Sequence, residues 1–273
     1  MKHFVESRRL ALIAGMLVIA ALVVAALAAA WLAPDSPTHM RLAEGLFAPS
    51  PSHPFGQDKL GRDVLSRILY GARVSLLVSL ATVLLSVGIG VIVGALAGFI
   101  GGTVDFVLMR LVDVLLAFPG LLLAIALAAA LGPGLANVVL ALTVIGWTGY
   151  ARLIRAEVIA LRSREHVEAA VALGATSRRV LCVHVLPLTL APLLVQASLG
   201  MASAVVAEAS LSFLGLGVQP PAPSWGSMLA EGRSFMIEAP HLVAAPGIAI
   251  TLVVLGLNLL GDGLRDLLDV HSR

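Results

Sequence analysis

Val74-Ser75-Leu76-Leu77-Val78-Ser79-Leu80-Ala81-Thr82-Val83-Leu84-Leu85-Ser86-Val87-Gly88-Ile89-Gly90-Val91-Ile92-Val93-Gly94-Ala95-Leu96-Ala97-Gly98-Phe99-Ile100 runs without a single charged residue. It exceeds the roughly 20 residues that carry a helix across about 30 Å of hydrocarbon. A transmembrane barrel strand would be about half as long and would alternate in polarity, whereas this run is continuous. Because every backbone N–H and C=O must be satisfied within the segment, the chain here is a membrane helix. Gly90, Gly94 and Gly98 recur every fourth residue, with Gly102 next in register. Four missing side chains on one stripe let another helix backbone approach closely, as in a packing seam.

Working outward, the same reading gives six spans, at 10–32, 74–100, 104–131, 135–150, 186–213 and 242–260. The expected fold class is all-α, a polytopic membrane bundle of six transmembrane helices. The first run is too long for the apolar core of a signal peptide and lacks a clean small-residue cleavage site before Pro34, so it is read as a retained helix. The third and fourth spans are separated only by Gly132-Pro133-Gly134, an antiparallel hairpin turn. The chain then divides into residues 1–73, a helix plus an external segment, and residues 74–273, a five-helix core.

The whole chain agrees with this class. It is 59% hydrophobic and 12% charged, with a mean hydropathy of +1.00, against about 25% charged residues in a soluble domain. A net charge of +2 with only Lys2 and Lys59 as lysines gives no footprint for nucleic acid. Cys182 is the sole cysteine, which excludes an intrachain disulfide and a thiolate metal cluster and leaves a packing or lipid-facing role.

An even number of spans puts both termini on one side. With the N-terminus inside, Lys2, Arg8, Arg9, Arg110, Arg152, Arg155, Arg162, Arg164, Arg178, Arg179, Arg265 and Arg273 are internal, twelve of the 18 basic residues. The bias toward the inside predicts cytoplasmic N- and C-termini. Of the two long external segments, the first becomes Asp58-Lys59-Leu60-Gly61-Arg62-Asp63-Val64-Leu65, whose spacing predicts a short amphipathic helix on the membrane surface. The second contains Gln219-Pro220-Pro221-Ala222-Pro223-Ser224-Trp225-Gly226, where prolines oppose regular helix and Trp225 suits the interface.

The longest internal segment, about 151–185, holds six arginines. Its centre predicts a short helix from about Arg164 to Leu173, ended by Gly174 in a left-handed conformation, with Thr176 capping the next helix. Val167, Ala170, Val171 and Gly174 fall on one side, a small apolar knob suited either to a cleft on another protein or to the headgroups.

Glu168-Ala169-Ala170, three residues, Gly174, nine residues, then His184-Val185-Leu186-Pro187 resembles the EAA loop of permease subunits in binding-protein-dependent ABC importers. The form with His before the aliphatic, Leu and Pro resembles the dipeptide, oligopeptide and nickel branch, although Leu188 stands where that branch often has Asn. His53-Pro54-Phe55-Gly56, Leu60-Gly61-Arg62-Asp63, Ala117-Phe118-Pro119, Leu211-Ser212-Phe213-Leu214-Gly215-Leu216-Gly217, Pro223-Ser224-Trp225-Gly226 and Asn258-Leu259-Leu260-Gly261-Asp262 follow in the order of the branch's C-type subunit. The resemblance implies the type I importer (MetI-like) permease fold in a cell membrane. The implied partners are a homologous permease in a heterodimer, two ATPase subunits and an external solute-binding protein. Glu168, Ala169, Ala170, Gly174, Leu186 and Pro187 would couple the bundle to the ATPases, which would hold ATP and Mg. The implied cargo is a di- or oligopeptide, with nickel or another small solute second.

No catalytic or metal-binding residue is expected. Neither lysine follows a glycine, so no P-loop exists, and His-Glu-x-x-His is missing. The rivals are an intramembrane serine protease using His184 or His241, which lacks a Gly-flanked serine elbow, and an ion-coupled carrier, which would keep charges at mid-membrane. Glu208 is the one acid well inside a predicted span, either on the solute path or held in packing. Near an inner end, Arg110 and Asp113 are spaced to pair along one helix.

Overall fold

The computed structural model describes residues 2–268, with side chains from residue 11 onward. Arg273 of the basic residues counted above lies outside the described residues. Helix α1 (Lys2–Leu27) is followed after Ala28 by the single turn α2 (Ala29–Leu32). Arg73 donates from Nε to the Ala26 carbonyl and from Nη2 to that of Leu27, meeting acceptors that a helix end leaves open.

Helix α3 spans Val64–Ile100, starting ten residues before the expected span. The amphipathic surface helix predicted at 58–65 does not form as a separate element. Asp58 instead folds a turn, accepting from the N–H groups of Leu60 (2.8 Å) and Arg62 (3.0 Å), and Asp63 caps α3 by accepting from the Ser66 N–H at 2.7 Å. At about 55 Å, α3 outreaches the hydrocarbon, and its first turns belong to a cap built with segment 33–63. Gly101, at φ +71°, ends it in a conformation that a side chain disfavours.

The expected third span is broken. Helices α4 (Gly102–Leu116) and α5 (Gly120–Leu131) meet at 85°. Pro119 at the break has no N–H to continue the ladder, and Asp105, Arg110 and Asp113 give α4 a polar face that α5 lacks. The expected Arg110–Asp113 pair gives way to pairs between helices. Arg155 on α6 (Leu135–Arg162) bonds Asp105 through Nη2 at 2.6 Å, Arg152 approaches Asp113 at 3.4 Å, and Arg110 stacks over Phe106 at 5.3 Å. Helix α6 runs twelve residues beyond its predicted end, so the first third of the expected internal loop is helix.

Helices α3 and α6 form the most extensive pairing in the bundle. A Cβ on Gly90 would lie 2.9 Å from the Trp147 carbonyl, on Gly94 2.5 Å from that of Ala151, and on Gly98 2.8 Å from that of Arg155. The stripe is therefore a packing seam, and the obstacles are backbone, which cannot rotate away. Gly102 is not part of it: it opens α4 at φ +57° with nothing within 4 Å of a Cβ.

Helix α7 (Glu165–Ala172) and the turn α8 (Ser177–Arg179) lead through a wide π turn (Val180–Val185) and a tighter turn (Leu186–Thr189) into α9 (Leu190–Phe213). The helical run thus begins at Ser177, nine residues before the expected span. Helix α10 (Trp225–Gly232) follows the proline-rich stretch, started by a capping box between Ser224 and Ser227. Trp225 is fully buried rather than interfacial, donating from Nε1 to the Ile68 carbonyl at 3.1 Å. Helix α11 (His241–Leu268) packs antiparallel along α1, where Gly15, Gly256 and Gly263 admit close contact, which places the two helix ends of the chain at one end of the bundle.

Among the described residues four helical runs are long and apolar enough to cross a membrane: Val64–Ile100, Leu135–Arg162, Ser177–Phe213 and His241–Leu268. The bent pair makes a fifth if counted as one span. The apolar part of α1, Ala11–Leu27, is shorter.

Candidate functional site

At the end of the bundle that holds the start of α1 and the end of α11, α7 projects between α6 and α8. Its C-terminus closes with a Schellman motif: the Ala175 N–H reaches the Ala170 carbonyl at 3.0 Å and the Gly174 N–H reaches that of Val171 at 2.9 Å. Gly174 is at φ +85°, as this closure requires, and Thr176 caps the following turn by accepting from the Arg179 N–H at 3.4 Å.

The two faces of α7 differ from the expected knob. Val167 points inward, 2% exposed, into a core with Val158, Leu161, Val180 and Val185, and so pins the helix to the bundle. Glu168 and Ala169 face out, Ala170 is half-buried, and Val171 is exposed. Leu173, which the sequence reading did not single out, is 90% exposed beside Gly174. The signal for it was its place at the last turn of a short amphipathic helix, off the inward face. Leu186 packs half-buried against the same core, and Pro187 is exposed where the π turn gives way to the tighter one. Glu168, Ala169 and Gly174 thus face outward with Ala170 half-buried beside them, and Leu186 shares the core that holds Val167.

Glu208 lies elsewhere, on the buried side of α9, 1% exposed, accepting from Ser75 Oγ at 2.8 Å and Ser212 Oγ at 2.7 Å. The Ser75 bond ties α9 to α3, while the Ser212 bond stays within α9. At the opposite end of the bundle a buried charged cluster joins the segments 33–63 and 214–241. Arg62 Nε donates to Asp58 at 2.6 Å and its Nη2 to Glu231 at 2.6 Å, while Arg67 bonds both carboxylates. Burial pushes the Glu231 carboxyl up, but the bonds and charges from Arg67 and Arg62 outweigh it and hold it below its ordinary value.

Known proteins share this sequence and this shape. Residues 90–273 match the family model described as the binding-protein-dependent transport system inner membrane component. The dipeptide transport system permease protein DppC of Alkalihalophilus pseudofirmus is 43% identical over 94% of this chain and 84% of its own length. The glutathione transport system permease protein GsiD of Shigella flexneri is 46% identical over 93% of this chain and 82% of its own. A chain of the inward-facing MetNI methionine ABC transporter has the same fold, with a TM-score of 0.61 at 18% identity over 74% of this chain and 95% of that one. With family model and relatives spanning most of its length, the chain belongs to the binding-protein-dependent transport system inner membrane components and is a permease subunit of an ABC importer.

Proposed function

We propose that this chain forms one half of the membrane pore of an importer for di- or oligopeptides, with α7 as the element that couples it to ATP hydrolysis on a separate chain. The observation that carries the coupling role is the construction of α7: anchored inward by Val167, closed by a strained-for-others Gly174, and presenting Ala169, Val171 and Leu173 outward. A small apolar surface on a rigid short helix suits a groove on a partner, and a helix pinned at its root transmits the partner's movement. The peptide cargo follows the dipeptide and glutathione permeases among the relatives.

In the same reading the chain makes six crossings, counting α1 and the bent pair α4–α5, with both termini cytoplasmic. It pairs with a homologous permease, two ATPase subunits and an external solute-binding protein. ATP and Mg belong to the ATPase chains, and this chain binds no cofactor and performs no catalysis.

Reconstitution with the ATPases and a solute-binding protein tests this: peptide uptake should require ATP. Gly174→Val, which forces a β-branched residue into a left-handed conformation, should leave ATP hydrolysis running while uptake falls about tenfold, membrane insertion being intact. Uptake at the unaltered rate in that variant, or uptake driven by an ion gradient without ATP, would sink the coupling role.

A further inference from the structure

Between α3, α5, α6 and α9 lies a cleft of about 310 Å³, at the lower end of the range for small-molecule sites, about 300–1,000 Å³. Its lining holds no Asp, Glu, Lys, Arg, His or Cys. Thr82, Ser86 and Tyr150 stand in its walls, and their hydroxyl oxygens are buried without a hydrogen-bond partner. Unmet hydroxyls in a dry bundle are disfavoured, and three around one cleft are an uncommon concentration.

Glycines govern access to these groups. A Cβ on Gly146 would come 2.6 Å from Ser86 Oγ, and one on Gly200 would collide with Tyr150 Oη. The Ser86 and Tyr150 hydroxyls therefore each rest against the bare backbone of a neighbouring helix, and a small separation of α6 from α3 or α9 opens them to the cleft. Gly149, also in the lining, has nothing within 4 Å of a Cβ and keeps the cleft open. Residues of its α9 wall also line neighbouring concavities. Gln196 lines a second concavity with Asp262 and Arg265, and Ser203 lines a third with Ser210 and Asn258.

We propose that this cleft is a contact site for the solute in passage and that it takes backbone amides. A hydroxyl both donates and accepts, which matches the N–H and C=O of a peptide bond, and bare glycine backbone admits a ligand of similar girth. A metal cation finds no ligand set here: among the described residues no group of three His, Cys, Asp or Glu is placed to hold one. The assignment rests on the importer-permease reading and adds where, and by which groups, the cargo is touched.

The test uses the complete transporter in proteoliposomes, with a labelled dipeptide and labelled glutathione as probes. Ser86→Ala with Tyr150→Phe removes two hydroxyls and keeps the shapes. Replacing an unmet buried hydroxyl by apolar surface is neutral or stabilising, so the thermal midpoint should hold or rise while uptake per ATP hydrolysed falls about tenfold. Gly149→Val should fill the cleft with folding intact and lower uptake by a similar factor, about tenfold. Wild-type uptake in both variants overturns the assignment and leaves the importer reading standing. Uptake that falls only in step with a falling midpoint marks the hydroxyls as packing groups and also overturns it. No ATP-dependent uptake of either probe by the unaltered transporter removes the peptide cargo itself, and this assignment with it.

Discussion

The cap opposite α7 and the middle of the bundle bury polar groups in different ways. At the cap, Asp58 and Glu231 both accept from Arg62 and from Arg67, so each carboxylate there is met by two guanidinium groups. In the middle, Thr82, Ser86, Thr143 and Tyr150 hold hydroxyls that meet nothing. At the cap Arg67 Nε is left without a partner, but every charge of the cluster faces an opposite one, which fixes the geometry because movement would separate buried charges. Unpaired hydroxyls favour no geometry and are relieved by whatever reaches them. The cap is built to hold the segments 33–63 and 214–241 together as one body, while the middle is built to accept a change of neighbours.

The largest expected effect comes from breaking the paired cluster. Arg67→Ala strips one guanidinium from Asp58 and Glu231 and leaves Asp58 buried with Arg62 alone. Removing one partner from a buried pair costs about 3–5 kcal/mol, so detergent-solubilised protein should lose much of its thermal stability, read as a fall in unfolding midpoint. An unchanged midpoint would mean that the cap is held by the Trp225 packing and the turn at Asp58 instead.

A smaller effect is expected from Glu231→Gln, which keeps the shape and weakens charge-assisted bonds, at about 1–3 kcal/mol. It also has a pH signature. The folded-state Glu231 carboxyl is held below its ordinary value of 4.5, so its stabilisation is fully present above that value and is lost as pH falls through the lower folded value. Midpoints measured from pH 7 downward should stay level to about pH 5 and then drop, and the Gln variant should show a shallower acid limb.

Much of the architecture was legible in the sequence because apolar runs and glycine spacing are local signals. The seam of Gly90, Gly94 and Gly98 was read from period alone, as were the short helix before Gly174 and the Thr176 cap. Boundaries failed where tertiary partners decide. Asp58 reads as the start of an amphipathic helix until Arg62 and Arg67 are seen around it, and Trp225 reads as interfacial until Ile68 offers a carbonyl. The break at Pro119 was visible as a residue but not as an 85° bend, since an unbroken apolar count hid the polar face of α4. The cleft was illegible for a different reason. Thr82, Ser86, Tyr150 and Gly149 are each ordinary in a membrane helix, and only the meeting of four helices makes them one surface.

The smallest expected effect separates the unpaired hydroxyls from one another. Thr143 shares with Ser86 a buried hydroxyl without a partner, but it does not line the cleft. Thr143→Val keeps the branched shape and removes only the oxygen. Relief of an unmet polar group should raise stability slightly, by about 1 kcal/mol or less, because the helix around it has already adapted to the side chain's volume. Uptake should be unaltered, in contrast to the Ser86 and Tyr150 changes, since no cargo reaches this position. If Thr143→Val lowered uptake as much as they do, position in the cleft would be irrelevant, and the hydroxyls would act together on the packing of α3 against α6.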